Sequence, residues 1–213
     1  MVHILLVLAG DPPGSELLEE SIRHGDVIIG VDGGGNVLKN LDYEPDVIIG
    51  DLDSFTGNPD RTPHLLKRID QDKTDLQKAL DYISEQYQVK KITILGGTGG
   101  RADHLLNNLQ ICAQIDSRIE IVFKHDGNMQ TGYTREDIIR ITPHSQPELK
   151  VNCGETISLL QTTDFAGLTS SGLKWEWDHI DSGMGFISQS NKVIRDNPTI
   201  TLKTGSVYIA AYK

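Results

Sequence analysis

Three apolar runs, Val27–Val31, Val47–Ile49 and Ile92–Leu95, each end directly in a loop rich in glycine and carboxylate. The loops read Asp32-Gly33-Gly34-Gly35-Asn36, Gly50-Asp51-Leu52-Asp53-Ser54 and Gly96-Gly97-Thr98-Gly99-Gly100-Arg101-Ala102-Asp103-His104. Short apolar runs bounded by turn residues predict buried strands, and Ile4–Ala9 and Ile119–Phe123 read the same way. Helical patterns lie between them. Ser15 is expected to cap a short helix carrying Leu17, Leu18 and Ile22, and a second runs through Val37, Leu38 and Leu41. A short helical stretch is expected around His64–Ile69. Thr74 and Gln77 form a capping box for a helix with Leu76, Ala79, Leu80, Ile83 and Tyr87 on one face. Asp103 is expected to cap a helix bearing Leu105, Leu106, Leu109, Cys112 and Ala113. Alternating strands and helices imply a parallel sheet with right-handed crossovers. All three loops then leave from one edge, where open α/β sheets bind ligands.

Beyond Lys124 no helical pattern follows. Short β-forming segments at 156–160, 172–177, 185–188, 199–202 and 206–211 are separated by polar turns. The last two flank Lys203-Thr204-Gly205 and predict a terminal hairpin. The expected fold is an α/β class: a Rossmann-like α/β/α domain over 1–123, then an antiparallel β-sandwich over 124–213. The boundary is softest at Asp126–Asn128.

A net charge of −10 argues against a broad nucleic-acid or anionic-membrane surface. Met1–Ala9 is too short to span a bilayer and lacks a basic flank, so it reads as a first strand; a cytoplasmic protein without membrane partners is expected. Cys112 and Cys153 have neither metal-ligand spacing nor a disulfide framework, and read as reduced core thiols. Half of the Asp residues fall between Asp26 and Asp75, which concentrates the acid in the loops.

Asp51 and Asp53 alternate at a strand end, so their side chains are expected on one side. Two adjacent carboxylates repel unless one is protonated or both face a cation, and Mg²⁺ suits such a pair when it also takes substrate phosphates. The alternative is that they only shape a turn. Gly33-Gly34-Gly35 and Gly96-Gly97 would let main-chain amides approach an anion, with a helix N-terminus behind them; a plain tight turn is the alternative. Gln71-Asp72-Lys73-Thr74-Asp75 either adds acid to the site or caps a helix. Arg101 with Asp103 suits bidentate phosphate binding, and His104 is either an acid–base group or an exposed first-turn residue. Neither a Walker A sequence nor GxGxxG is present. Gathered at one edge, Asp32, Asp51, Asp53, Asp75 and Asp103 would require cations, which points to phosphoryl or pyrophosphoryl transfer from Mg·ATP.

In the order and spacing of these motifs, and in Gly172-Leu173-Lys174-Trp175 and Ser190-Asn191, the chain resembles the bacterial thiamine pyrophosphokinases (thiamine diphosphokinases). The resemblance implies transfer of the ATP β,γ-diphosphate to the thiamine hydroxyl, giving thiamine diphosphate and AMP. It implies a homodimer with each site between the α/β domain of one chain and the β-domain of the other. By resemblance Asp51, Asp53 and Asp75 hold Mg²⁺ and, with Arg101 and Asp103, form the catalytic set. Asp32, Gly33, Gly34, Asn36, Ser54, Gln71, Asp72, Thr74, Gly97, Thr98 and His104 bind nucleotide or phosphate, and Trp175, Ser190 and Asn191 meet thiamine. A flat cation favours an aromatic face, although Trp175 and Trp177 could both be sandwich core. Asp75 and Asp103 are both open as proton acceptors. Three other readings stay open: a diphosphokinase for another heterocyclic alcohol, a non-catalytic nucleotide-binding module, and a metal-dependent phosphohydrolase or sugar transferase.

Overall fold

The computed structural model describes residues 1–57, 64–99, 101–127, 133–183, 186 and 188–213. Gly100, Asn128, Gly185 and Ile187, named in the motifs and segments above, lie outside them. The chain divides into two compact units, Met1–Asn108 with Phe123–His125, and Leu109–Val122 with Asp126–Lys213.

The first unit holds strands β1 (Val2–Val7), β2 (Val27–Val31), β3 (Val47–Gly50), β4 (Leu65–Lys67) and β5 (Val89–Leu95). They run parallel in the order β4-β3-β2-β1-β5. The strand order therefore reverses at β1. Helices α1 (Ser15–His24), α2 (Gly34–Asn40) and α3 (Asp75–Gln86) belong to this unit, as does the start of α4 (Ala102–Ala113). Leu5 and Val7 of β1 pack with Leu17 and Leu18 of α1 and Leu38 of α2. The approach of α2 to β1 requires Gly34, because a Cβ there would lie 1.8 Å from the Val7 carbonyl oxygen.

Local chemistry sets the helix starts, with two differences from expectation. Thr74 and Gln77 form the capping box at α3. Ser15, however, is the first residue of α1; the N-cap is Gly14, with no side-chain bond. Asp103 lies inside the first turn of α4, where its carboxylate is taken by Arg101 and cannot cap. The segment expected to be helical around His64–Ile69 contains strand β4. Its Leu65 and Leu66 register against Ile48 and Ile49 of β3, and this pairing overrides a weak local helical preference.

The second unit contains β7 (Arg135–Ile141), β8 (Thr156–Ala166), β10 (Ser188–Lys192) and β12 (Thr204–Tyr212) in the antiparallel order β10-β8-β12-β7. β9 (Thr169–Ser171) and β11 (Thr199–Thr201) form a separate antiparallel pair. Strand β6 (Glu120–Asp126) is divided between the two units. Ile139, Ile141, Ile157, Leu159, Val207 and Ile209 of the larger sheet share one core with Ile200 of the smaller one, as two packed sheets require. The expected hairpin of 199–202 with 206–211 does not form. β11 pairs with β9 while β12 lies between β7 and β8, so Leu202 and Lys203 carry the chain from one sheet to the other. Cys112 is buried as expected, but Cys153 is exposed.

Candidate active site

A cleft of about 600 Å³ opens at the C-terminal ends of β1, β2 and β5. It sits where the strand order reverses, the position at which open α/β sheets bind ligands. Leu8, Ala9 and Gly10 follow β1, Val31 and Asp32 end β2, and Gly96–Gly99 follow β5. Gly96 has φ +63°, and a Cβ on it would meet the Leu8 carbonyl oxygen at 2.3 Å, so glycine alone fits this bend.

Asp32, Asp51 and Asp75 converge on the cleft, with one carboxylate oxygen of each within 4.8 Å of the others. Asp32 is held by strain and burial: its φ is +46°, it is 8% exposed, and its Oδ1 has no hydrogen-bond partner. Burial raises its pKa, and the charges of Asp75 and Asp51 add to the rise against the opposing effect of the Ser54 side chain and the Gly33 amide. An unpartnered buried carboxylate oxygen facing two further carboxylates is a donor set of the kind a hard divalent cation takes, so these residues fit Mg²⁺.

Asp53, expected from strand alternation to share one side with Asp51, is not one of the three clustered carboxylates, although its amide donates to Asp51 Oδ1 at 3.2 Å. β3 ends at Gly50, and Leu52 adopts φ +66°. This left-handed residue turns the chain, sending Asp51 to Asp32 and Asp75 while Asp53 accepts from the Ser54 hydroxyl at 2.9 Å. Asp53 and Ser54 still line the cleft, as do Thr74, Gly97, Thr98, Arg101 and His104. Thr98 Oγ1 is a second buried polar atom without a partner. The Arg101 guanidinium is mostly exposed and holds Asp103 in a bidentate pair, which lowers the Asp103 pKa.

Other expected site residues lie elsewhere. Gly33 and Gly34 are buried beneath the cleft lining. Asn36 fastens the following loop: its Nδ2 donates to Ser54 O at 2.7 Å and its Oδ1 accepts from Thr56 N at 2.9 Å. Gln71 and Asp72 are exposed and do not line the cleft.

Sequence reasoning missed Lys78, Asn107 and Asn108. Lys78 is only 5% exposed, and its Nζ donates to Asp75 Oδ1 at 2.9 Å and approaches Asp51 Oδ2 to 4.0 Å. Burial opposes its charge, but the Asp75 hydrogen bond and the neighbouring carboxylates outweigh it and raise its pKa. Its i,i+3 spacing from Asp75 was the available signal. Asn107 lines the cleft, and Asn108 ties down the β5 loop by donating to Gly97 O at 3.0 Å.

In the second unit Trp175 and Trp177 separate. Trp177 is 5% exposed core, whereas Trp175 is 55% exposed. Asn191, 1% exposed, clasps the Trp175 peptide from both sides: Nδ2 donates to Trp175 O at 2.7 Å, and Oδ1 accepts from Trp175 N at 3.2 Å. Lys174 Nζ lies 4.5 Å from the centroid of the Trp175 ring. Ser190 takes φ +54° and donates its amide to Ser158 Oγ.

Two family models match the chain in succession. The family model "Thiamin pyrophosphokinase, catalytic domain" matches residues 18–123, and "Thiamin pyrophosphokinase, vitamin B1 binding domain" matches 139–208. Thiamin pyrophosphokinase 1 of Caenorhabditis elegans is 28% identical over 202 residues, covering 85% of this chain and 76% of that protein. The thiamine pyrophosphokinase of Bacillus subtilis is 42% identical over 89 residues, 39% of this chain and 41% of the relative. A crystal structure of the Bacillus subtilis protein superposes with a TM-score of 0.78 and 25% identity, covering 99% of each chain. The yeast enzyme shares the fold at a TM-score of 0.74 and 19% identity, covering 100% of this chain and 86% of its own. With both family models matched in order along its length, the chain belongs to the thiamine pyrophosphokinase family.

Proposed function

We propose that this enzyme transfers the β,γ-diphosphate of Mg·ATP to the hydroxyl of thiamine, giving thiamine diphosphate and AMP. The observation that carries this reading is the Asp32–Asp51–Asp75 cluster with its unpartnered Asp32 oxygen. Three carboxylates facing a cleft would repel a polyphosphate unless a cation joined them. Asp32, Asp51 and Asp75 would hold Mg²⁺, with Asp53 adding charge from the cleft wall. A divalent cation there would offset phosphate charge and make the β-phosphorus more electrophilic.

The remaining residues would bind and orient. Main-chain amides of the Gly96–Gly99 loop and the Thr98 hydroxyl would meet phosphate oxygens, with Ser54, Thr74 and His104 beside them. Arg101 would release Asp103 to form a fork on phosphate. The thiamine oxygen would attack the β-phosphorus as the bond to the α,β-bridging oxygen breaks, and AMP would leave with that oxygen. The hydroxyl proton would pass to a carboxylate, Asp75 or Asp103, and a loose transition state asks little basicity of it.

Thiamine is flat and cationic, and the exposed Trp175 ring already attracts a cation from Lys174. We assign residues 1–123 to ATP and 124–213 to thiamine, in a cytoplasmic homodimer whose sites each use both chains. Incubation with Mg·ATP and thiamine should yield AMP and thiamine diphosphate in equal amounts. ADP as product, or AMP formed without thiamine, overturns the assignment.

A further inference from the structure

We infer that Lys78 is a built-in counter-ion of the Asp32–Asp51–Asp75 cluster, limiting it to a single divalent cation before nucleotide binds; this rests on the metal reading proposed above. Three ionised carboxylates within 4.8 Å of one another carry three negative charges. The Lys78 ammonium, buried and 2.9 Å from Asp75 Oδ1, cancels one of them. It does so from behind: Asp32, Asp51 and Asp75 line the cleft, and Lys78 does not. Being one helical turn on from Asp75 in α3, it reaches Asp75 and Asp51 while leaving Asp32 Oδ1 unpartnered. The acids therefore keep a cleft-facing side with a residual charge of two, matched by one divalent ion. A second ion would have to arrive with the substrate phosphates. A lysine that only fills space would leave metal binding unchanged when replaced by a neutral side chain of similar length.

Mn²⁺ binding to the nucleotide-free protein, followed by the electron paramagnetic resonance of the free ion, tests this without turnover. The wild type should bind one Mn²⁺ per chain. Lys78→Met, with its fold verified by circular dichroism, should bind Mn²⁺ about tenfold more tightly or take a second ion, because a unit positive charge beside the site is gone. Lys78→Arg should stay within about twofold of wild type, because the charge is kept. Unchanged or weaker binding in folded Lys78→Met overturns the role of Lys78, and continued wild-type turnover of thiamine then leaves the enzymatic reading standing. If Lys78→Met does not fold, two ions per wild-type chain, or a tenfold change in Lys78→Arg, overturns it equally. A wild type that binds no Mn²⁺ and makes thiamine diphosphate without a divalent cation removes both the metal site and the counter-ion.

Discussion

Arg140 donates from Nη1 to the main-chain carbonyl of Cys112 at 2.7 Å, joining strand β7 to the C-terminal end of α4. The same guanidinium reaches Ile115 O, Asp116 O and Ile119 O at 2.8, 2.8 and 2.6 Å. A helix end leaves carbonyls without intrahelical partners, and here one fully buried arginine satisfies them and the turn that follows. Burial lowers its pKa, but a guanidinium remains charged. Arg140→Met should destabilise the protein by about 3 kcal/mol or more, because each orphaned carbonyl carries a desolvation cost. Arg140→Lys should recover little of that, since an ammonium cannot reproduce the planar fork. Urea unfolding measures both, and a loss below about 1 kcal/mol in Arg140→Met would contradict this account.

The sequence discloses structure where local chemistry decides it. The strands beneath the loops are runs of apolar residues, and α3 begins where Thr74 and Gln77 satisfy each other. It misleads where distant pairing decides. Leu65–Lys67 is a strand only because β3 offers it an edge, and β11 parts from β12 because each finds its partner in a different sheet. The site follows the same rule. Of the expected acids, Asp51 and Asp75 meet with Asp32 in the cluster, while Asp53 lines the cleft outside it, where the left-handed Leu52 turns the loop. Asn36 and Asn191, expected by resemblance to meet ligands, have structural partners that no sequence pattern shows: a loop and a tryptophan peptide. Arg140 had no sequence signal at all, since its partners are main-chain carbonyls from 21 to 28 residues away.

Cys112 and Cys153 should respond to their environments in opposite ways. Burial pushes the Cys112 thiol up to about 12, from an ordinary value of 9.0, whereas Cys153 is exposed. A thiol-reactive chromophore should label one cysteine in the native chain and two in urea. The raised Cys112 pKa also fixes the sign of the pH effect. Its contribution to stability is complete below about pH 9, where both states hold the proton. It is lost as pH rises toward about 12, because the unfolded chain ionises first. Tyr208, also buried and shifted upward, acts in the same direction. Stability of Cys112→Ala should therefore fall less steeply above pH 9 than that of wild type, and parallel pH profiles would exclude this coupling.

Asn191 should act on thiamine through Trp175. Its amide holds both polar groups of the Trp175 peptide, so the exposed ring is presented on a fixed backbone. Asn191→Ala removes two hydrogen bonds and frees that backbone, at a cost of about 1–3 kcal/mol. KM for thiamine should rise about tenfold or more, while KM for ATP stays within about twofold, since the nucleotide is assigned to the other unit. Trp175→Ala should produce the same pattern, and the double variant should be no worse than Trp175→Ala if Asn191 works only through that ring. Equal rises in both KM values would show instead that the substitution disturbs the fold.

Asp51→Asn separates a catalytic acid from a structural one. In the free protein Asp51 shares a small volume with Asp32 and Asp75, and only Lys78 answers their charge among the described residues. Replacing one carboxylate with an amide relieves repulsion, so thermal stability should stay level or rise slightly. The same change deletes a hard anionic ligand from the proposed Mg²⁺ site, so turnover should fall about a thousandfold or more. Burial and the Asp75 and Asp51 charges raise the Asp32 pKa, so removing the Asp51 charge should also lower it, which carboxyl chemical shifts can follow on titration. A variant with lost turnover and unchanged melting assigns Asp51 to the chemistry. A variant that melts early, or that retains wild-type turnover, removes it from the metal site.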